Sequence, residues 1–400
     1  MLNILYAMHR IPYPPDKGDK IRSWHILKHL TARHRVHLLA FVDDPDDFAH
    51  AGKLKELCAS LCLRPLTQRQ KLTRAVMALL KGRAITEEFY RDASARAFAD
   101  GCTKAGIDVV LGYSGGVLHY LEQAKSARRL FDLGDVDSQK WHALAAQRSG
   151  PLAWLYRREA RKIAALEQRA LNVSDATIFV SDAEAALFKT LSPAARHNRI
   201  HAVSNGVDAG YFSPAKPAKP ASLVRVVFVG AMDYQPNIDA VIFFANLVMP
   251  LLRQHNAVHF QIVGSKPAPA VKALARHPDI EVTGRVPDVR PYLAKADLVA
   301  APLLLARGIQ NKVLEAMAMA KPVVATEAAA TGLDATHGQH LLIANKPEEF
   351  VSQINRLVED PELGAAIGAA ARDHVLAQFS WDARLAALDA LLAGNASISP

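Results

Sequence analysis

Cysteine is scarce in this sequence. Cys58, Cys62 and Cys102 are the three present in 400 residues, too few for a disulfide framework and without the paired Cys/His spacing of a zinc site. Their expected role is that of buried small residues in a reducing compartment. Acidic charge is also in the minority: 39 Asp and Glu stand against 48 Lys and Arg, a formal charge of +9. That balance points to anionic partners such as nucleotide phosphates or anionic lipid headgroups. Nucleic acid is not expected, because the aromatic-basic recognition pattern is missing. No run of 18 uncharged apolar residues occurs, so no membrane span is expected. The first residues lack a basic start followed by a long apolar run, so no signal peptide is expected. The expected place is the cytoplasm, with membrane contact peripheral at most, on the inner face of the plasma membrane.

What is present is a globular composition, half hydrophobic and 22% charged, long enough for two or three domains. Short apolar runs alternate with helical patterns, as in parallel βαβ units. Leu2 to Ala7, Val36 to Val42, Asp108 to Gly112, Arg129 to Leu133, Ala176 to Val180 and Arg199 to Val203 read as strands of a first half. Ser213 to Pro220, SPAKPAKP, is a linker by composition. The pattern then restarts, with strands at Val224 to Val229, His259 to Val263, Ile280 to Val282, Asp297 to Pro302 and Pro322 to Thr326. Helices are expected from about Ile21 to Leu30, Pro151 to Leu171, Ile238 to Leu252, Asn311 to Ala320 and Phe379 to Leu392. Between Leu66 and Arg83 the segment QRQKLTRAVMALLKGR is basic and amphipathic, with Leu72, Val76, Leu79 and Leu80 on one face. The expected reading is a core-facing helix with basic flanks; the alternative is a helix lying on an anionic membrane.

In parallel sheets ligands bind beyond the C-terminal ends of the strands, so the loops there carry the candidate residues. The loop His9 to Lys20 follows the first strand; it contains Gly18 but is not GxGxxG, which argues against a dinucleotide fingerprint. Lys17, Lys20 and Arg22 add positive charge around it. Tyr113-Ser114-Gly115-Gly116 follows another strand, with His119 a turn further on, expected to be structural. Asp132, Asp135 and Asp137 cluster at a third strand end. Capping of the next helix by Asp137 or Ser138, a weakly indicated metal site, and binding of acceptor hydroxyls at Asp135 and Asp137 remain open readings, the last preferred.

The most informative stretch is APLLLARGIQNKVLEAMAMAKPVVAT, residues 301 to 326. It reads as strand, loop, helix, strand. The loop Arg307-Gly308-Ile309-Gln310-Asn311 enters a helix N-terminus, where free backbone N–H groups favour an anion. Gly308 lets a ligand approach the backbone. Lys312 lies in the first turn, where the helix dipole disfavours a cation by a few tenths to about 1 kcal/mol. Cations gathered there make sense if they face a bound phosphate or carboxylate. Glu315, one turn on and on the same face, can accept hydrogen bonds from sugar hydroxyls.

This stretch resembles the nucleotide-sugar motif of retaining GT-B glycosyltransferases of the family 4-like group. That motif has two glutamates seven residues apart, Gly after the first and Lys three before the second. Gly308, Lys312 and Glu315 match; Arg307 holds the place of the first glutamate. The opening PYPPDKGDKIRSWHILKHL is similar to sugar transferases associated with PEP-CTERM/exosortase exopolysaccharide systems. The resemblance implies an α/β protein of two doubly wound Rossmann-like domains facing a cleft. The first, residues 1–210, serves the acceptor; the second, 221–379, binds the nucleotide sugar; a final helix, about 380–395, packs back onto the first. It implies that Gly18 lies against the donor diphosphate and that the loops at Gly264 and Arg285-Val286 hold the base. It also places Ser114 where an acceptor approaches. It implies no metal and no cofactor, since the nucleotide sugar is a substrate. One departure stands out: Gly230 is followed by Ala231, Met232 and Asp233 rather than the family's Arg and Lys.

The expected function is transfer of a sugar from a nucleoside-diphosphate donor to a saccharide or polyprenyl-linked acceptor, with retention, in exopolysaccharide biosynthesis. Charge builds on a departing diphosphate, so backbone N–H groups at Gly308 and Ile309, with Lys312 and Arg307, are the expected catalytic devices. Gln310 and Asn311 complete the donor loop. An NDP-sugar epimerase on the same fold and a non-catalytic basic binding protein are the alternatives.

Overall fold

The structure is a computed structural model that describes residues 1–15, 18–146, 149–214, 223–305 and 309–394. The expectations for Lys17, Arg307 and Gly308, and most of the 213–220 linker, lie outside the described residues. The chain divides into two units, Met1–Asn205 with Arg384–Pro400, and Gly206–Ala383. The last helix, Trp381–Ala393, begins in the second unit and continues in the first.

The first unit holds a parallel sheet of seven strands: β1 (Asn3–Met8), β2 (Arg35–Val42), β3 (Ser60–Pro65), β4 (Val109–Tyr113), β5 (Arg128–Gly134), β6 (Ala176–Phe179) and β7 (Ile200–Ala202). Their spatial order is β3-β2-β1-β4-β5-β6-β7. Helices cover both faces of such a sheet, so its strands are apolar throughout rather than alternating; Ile4 to Met8 are all fully buried. The edge strand β3, SLCLRP, has no such run and was not expected as a strand; its first five residues are half-buried and Pro65 is exposed. Leu5, Leu39, Phe41, Val110, Phe131 and Phe179 belong to one core cluster. The strand order reverses between β1 and β4, whose C-terminal ends therefore open a crevice.

One expectation for this unit, a core-facing helix between Leu66 and Arg83, is corrected. Lys20 and Arg22 both face inward from the helix Gly18–Thr31 and are 2% exposed. Lys20 pairs with Asp47 at 2.8 Å, and Arg22 with Asp132 at 2.8 Å. The helix Gln68–Leu80 does not face the core: Ala78 is its one buried residue, while Leu72 and Leu80 are 70% and 77% exposed. Cys102 is buried as expected, whereas Cys58 and Cys62 are half-buried.

The second unit repeats the plan with β8 (Val224–Val229), β9 (Val258–Val263), β10 (Ile280–Gly284), β11 (Leu298–Ala301), β12 (Val323–Ala325) and β13 (Leu342–Ile343). All pairs are parallel, in the order β10-β9-β8-β11-β12-β13. The reversal here lies between β8 and β11. The stretch Gln235–Leu252, which includes Asp239, is long and apolar enough to cross a bilayer by length and composition alone. Its residues Ile238, Val241, Phe244 and Val248 are built into this unit's core. Two doubly wound Rossmann-like sheets are thus observed, as the sequence led us to expect.

Candidate functional site

In the second unit the crevice at the β8/β11 reversal lies beyond the C-terminal ends of the strands. Strand β8 ends at Val229 and is followed by Gly230; β9 ends at Val263 and is followed by Gly264. These glycines press together: a Cβ on Gly264 would lie 1.7 Å from the Gly230 carbonyl oxygen. A Cβ on Gly230 would in turn lie 2.7 Å from the Asn237 amide nitrogen. Asn237 is in the first turn of the helix Gln235–Phe243 and is 4% exposed. Its amide N–H donates to the Ala231 carbonyl at 2.9 Å. Its carbonyl oxygen accepts from the Lys312 ammonium. Packing alone therefore accounts for Gly264, and a chain of contacts ties it to the lysine.

Lys312 opens the helix Asn311–Ala318, which begins after β11 with Gln310 as its N-cap residue. Val313 and Leu314 N–H groups turn back to the Gln310 carbonyl; the earlier N–H groups of such a turn have no partner within the helix. The loop is held upstream by Thr326, whose hydroxyl donates to the Leu303 carbonyl at 2.6 Å. The Lys312 ammonium lies 4.8 Å from the centre of the Phe228 ring, a favourable cation–π arrangement. Among the described residues it has no carboxylate within ion-pair distance. Burial lowers its pKa to about 8, against a smaller opposing pull from Glu315. Burial likewise raises the Glu315 carboxyl to about 7, opposed by Lys312. A half-desolvated cation at a positive helix end gains from an anion that both could share.

The other residues expected to contact the donor are distributed as follows. Ile309 is half-buried against the core, and Asn311 is exposed at the helix start. Gly284 closes β10 at a φ of +70°, Arg285 is exposed, and Val286 packs against the core. Gly18 begins its helix in the first unit, and a Cβ there would meet nothing within 4 Å. The structure thus brings Lys312, Glu315 and Gly264 together within one unit, with Gln310 and Asn311 beside Lys312 in the chain.

In the first unit the β1/β4 crevice holds Ser114, which leaves β4 at a φ of +75°, rare for a side-chain-bearing residue. Two backbone bonds fix it: its N–H donates to the Asp132 carbonyl at 2.8 Å, and its carbonyl accepts from Val117 at 3.2 Å. Opposite, after β1, Arg10 pairs with both Asp19 and Asp43. His9 bonds Asp19 at 3.2 Å and packs its ring 5.5 Å from that of Tyr113. Hydrogen bonds and charge from His9 and Arg10 override burial and hold the Asp19 carboxyl well below the usual range. Of the acidic cluster, Asp132 is buried against Arg22 and accepts from the Gly134 N–H at 3.0 Å, so its role is internal. Asp135 and Asp137 are half-buried and share Lys140, at 2.5 and 3.2 Å.

Asn237, His9 and Arg10 were not singled out in the sequence. The signal for Asn237 was the Pro-Asn pair just after a strand-end glycine, which reads equally as an ordinary helix start.

Over 98% of its length the chain follows the fold of Anabaena HepE, crystallised with UDP (TM-score 0.62, 17% identity, 100% of that chain). It also follows sucrose-phosphate synthase from Thermosynechococcus elongatus (TM-score 0.63, 18% identity, 98% of each chain). A glycosyltransferase from Rickettsia africae covers the whole chain (TM-score 0.63, 15% identity, 99% of that chain). The fold is therefore that of the two-domain GT-B glycosyltransferases. Residues 224–360, within the second unit, match the family profile described as glycosyl transferases group 1. Among curated proteins, the alpha-maltose-1-phosphate synthase of Mycolicibacterium smegmatis is 28% identical over 242 residues. That match takes in 54% of this chain and 62% of the relative's length.

Proposed function

We propose that this chain is a glycosyltransferase that takes a sugar from a nucleoside-diphosphate donor and passes it, with retention, to a saccharide or lipid-linked acceptor. The observation that carries the reading is Lys312: a cation without an ion-pair partner among the described residues, held by Asn237 at a helix N-terminus and at the strand-order reversal of a glycosyl transferases group 1 domain. As the anomeric C–O bond lengthens, negative charge gathers on the leaving diphosphate. A positioned ammonium and N–H groups stabilise that charge more than they stabilise the bound donor, which is what accelerates the step. Glu315 accepts hydrogen bonds from sugar hydroxyls when ionised and donates one when protonated. The donor is a substrate, and the reading calls for no cofactor.

HepE has been crystallised with UDP-glucose, which makes a uridine donor the first to try. The basic helix Gln68–Leu80, with its exposed Leu72, Val76 and Leu80, fits peripheral contact with an anionic membrane. That suits a cytoplasmic enzyme with a lipid-linked acceptor in exopolysaccharide assembly. The test is release of UDP from UDP-glucose by purified protein supplied with a panel of saccharide and polyprenyl-linked acceptors. Acceptor-dependent UDP release, abolished in Lys312→Gln, is expected. Interconversion of the sugar without release of UDP would favour the epimerase instead.

A further inference from the structure

The first unit contains a cavity of about 270 Å³ that plays no part in the reading above. Four cations, Lys81, Arg83, Arg91 and Arg96, and two carboxylates, Glu88 and Asp92, line it together with His119. The carboxylates are already engaged. Glu88 is held by Lys81 at 3.3 Å and Arg83 at 3.1 Å, and Asp92 by Arg64 at 2.9 Å. Asp92 also accepts the backbone N–H groups of Ser94 and Ala95 at the start of the helix Ala93–Lys104. Arg91 reaches Glu87 at 2.6 Å. Arg96 is different: it makes no ion pair among the described residues, its guanidinium lies 5.4 Å from the centre of the Tyr120 ring, and its Nη1 is buried with no hydrogen-bond partner.

His119, in the short helix Leu118–Leu121, is 2% exposed, and among the described residues neither of its ring nitrogens has a hydrogen-bond partner. A buried imidazole with both nitrogens unpaired is rare, and such a group asks for an unplaced ligand or water. Burial, reinforced by the surrounding arginines, keeps the ring neutral, with its pKa lowered to about 2. A neutral ring offers one N–H donor and one bare acceptor. The acceptor suits a hydroxyl, the donor an oxyanion.

We propose that this pocket is an oxyanion site that takes the phosphoryl group of a small phosphate compound, bound by Arg96 and His119 with Lys81, Arg83 and Arg91 around them. Arg forks match phosphate oxygens two at a time, and lysine adds a point charge. The cavity is smaller than the roughly 300–1,000 Å³ of drug-sized ligand sites, so the ligand is free phosphate or the phosphate ester of a single small polyol. The site uses none of the residues assigned to the donor, and it stands or falls independently of the glycosyltransferase reading.

The test is calorimetric titration of the full chain, at low ionic strength, with inorganic phosphate and separately with glucose 6-phosphate. The variants are Arg96→Gln, His119→Phe and, as a donor-side control, Lys312→Gln. Saturable binding of one phosphate compound per chain is expected in the wild type and in Lys312→Gln. Arg96→Gln and His119→Phe should weaken it at least tenfold while leaving UDP binding unchanged. Tighter binding of glucose 6-phosphate identifies an ester; equal binding identifies the free ion. Should His119→Phe not fold, Arg96→Gln, a change at a half-buried residue, decides alone. The proposal is overturned if neither compound binds at millimolar concentrations, or if Lys312→Gln abolishes binding and Arg96→Gln does not. Failure of UDP to bind would bear only on the donor reading.

Discussion

At the scale of residues, the account turns on Lys312 and the atoms that hold it. Its low pKa has a definite sign. An anion beside the ammonium favours the charged form, so donor binding is strongest while Lys312 is protonated and weakens as pH rises past about 8. Nucleotide affinity measured between pH 7 and 9 should therefore fall, with proton uptake on binding at the upper end. In Lys312→Gln, affinity should be at least tenfold lower and flat across that range. Glu315 gives the opposite check on stability. Its folded carboxyl keeps a proton up to about pH 7, whereas the unfolded one releases it near pH 4.5. The second unit should lose stability as pH rises through that window, and melting of Glu315→Gln should lack that slope. Lys312 and Glu315 were legible as a spaced motif on one helix. Asn237 was not, because its hydrogen bond to Lys312 joins residues 75 positions apart, and no local pattern encodes a contact of that kind.

At the scale of elements, the C-terminal ends of β8 and β9 meet through Gly230 and Gly264. No side chain can occupy a position 1.7 Å from a backbone carbonyl oxygen. Gly264→Ala should therefore destabilise the second unit by at least the about 1–3 kcal/mol of an overpacked core. Chemical denaturation followed on the second unit reads this directly, and a loss below about 0.5 kcal/mol would show the contact to be soft. The resemblance implied a ligand contact at the Gly264 loop; the structure gives Gly264 a packing reason. Strand positions were readable because buried parallel strands are continuous apolar runs. Edge strands were not: β3 carries Arg and Pro, and β13 is two residues long. The helix Gln68–Leu80 was readable as amphipathic, but an apolar face does not say what covers it, and here the rest of its unit leaves it exposed.

At the scale of the whole molecule, two units each have a parallel sheet with one order reversal, and the restart of the strand pattern at Val224 was legible in the sequence. Buried ion pairs inside the first unit were not, since Lys20 and Arg22 look like surface charges until Asp47 and Asp132 are brought to them by the fold. Arg22 also donates to the Val203 carbonyl and Asn205, both at 2.8 Å. Arg22→Met strands Asp132 as an unpaired buried carboxylate and should lower the stability of the first unit by about 3–5 kcal/mol. Calorimetry should show the transition of that unit moved down and UDP binding retained by the second. Loss of both together would mean that the units do not unfold separately.

The central claim is that the Lys312 end of the helix Asn311–Ala318 receives the donor's diphosphate. Thermal unfolding of wild type and Lys312→Gln in the presence of UDP-, GDP- and dTDP-sugars tests it most directly, because a ligand that binds the folded state raises its melting temperature. The account predicts that at least one donor stabilises the wild type by several degrees and leaves Lys312→Gln unmoved. Equal stabilisation of both proteins would contradict it.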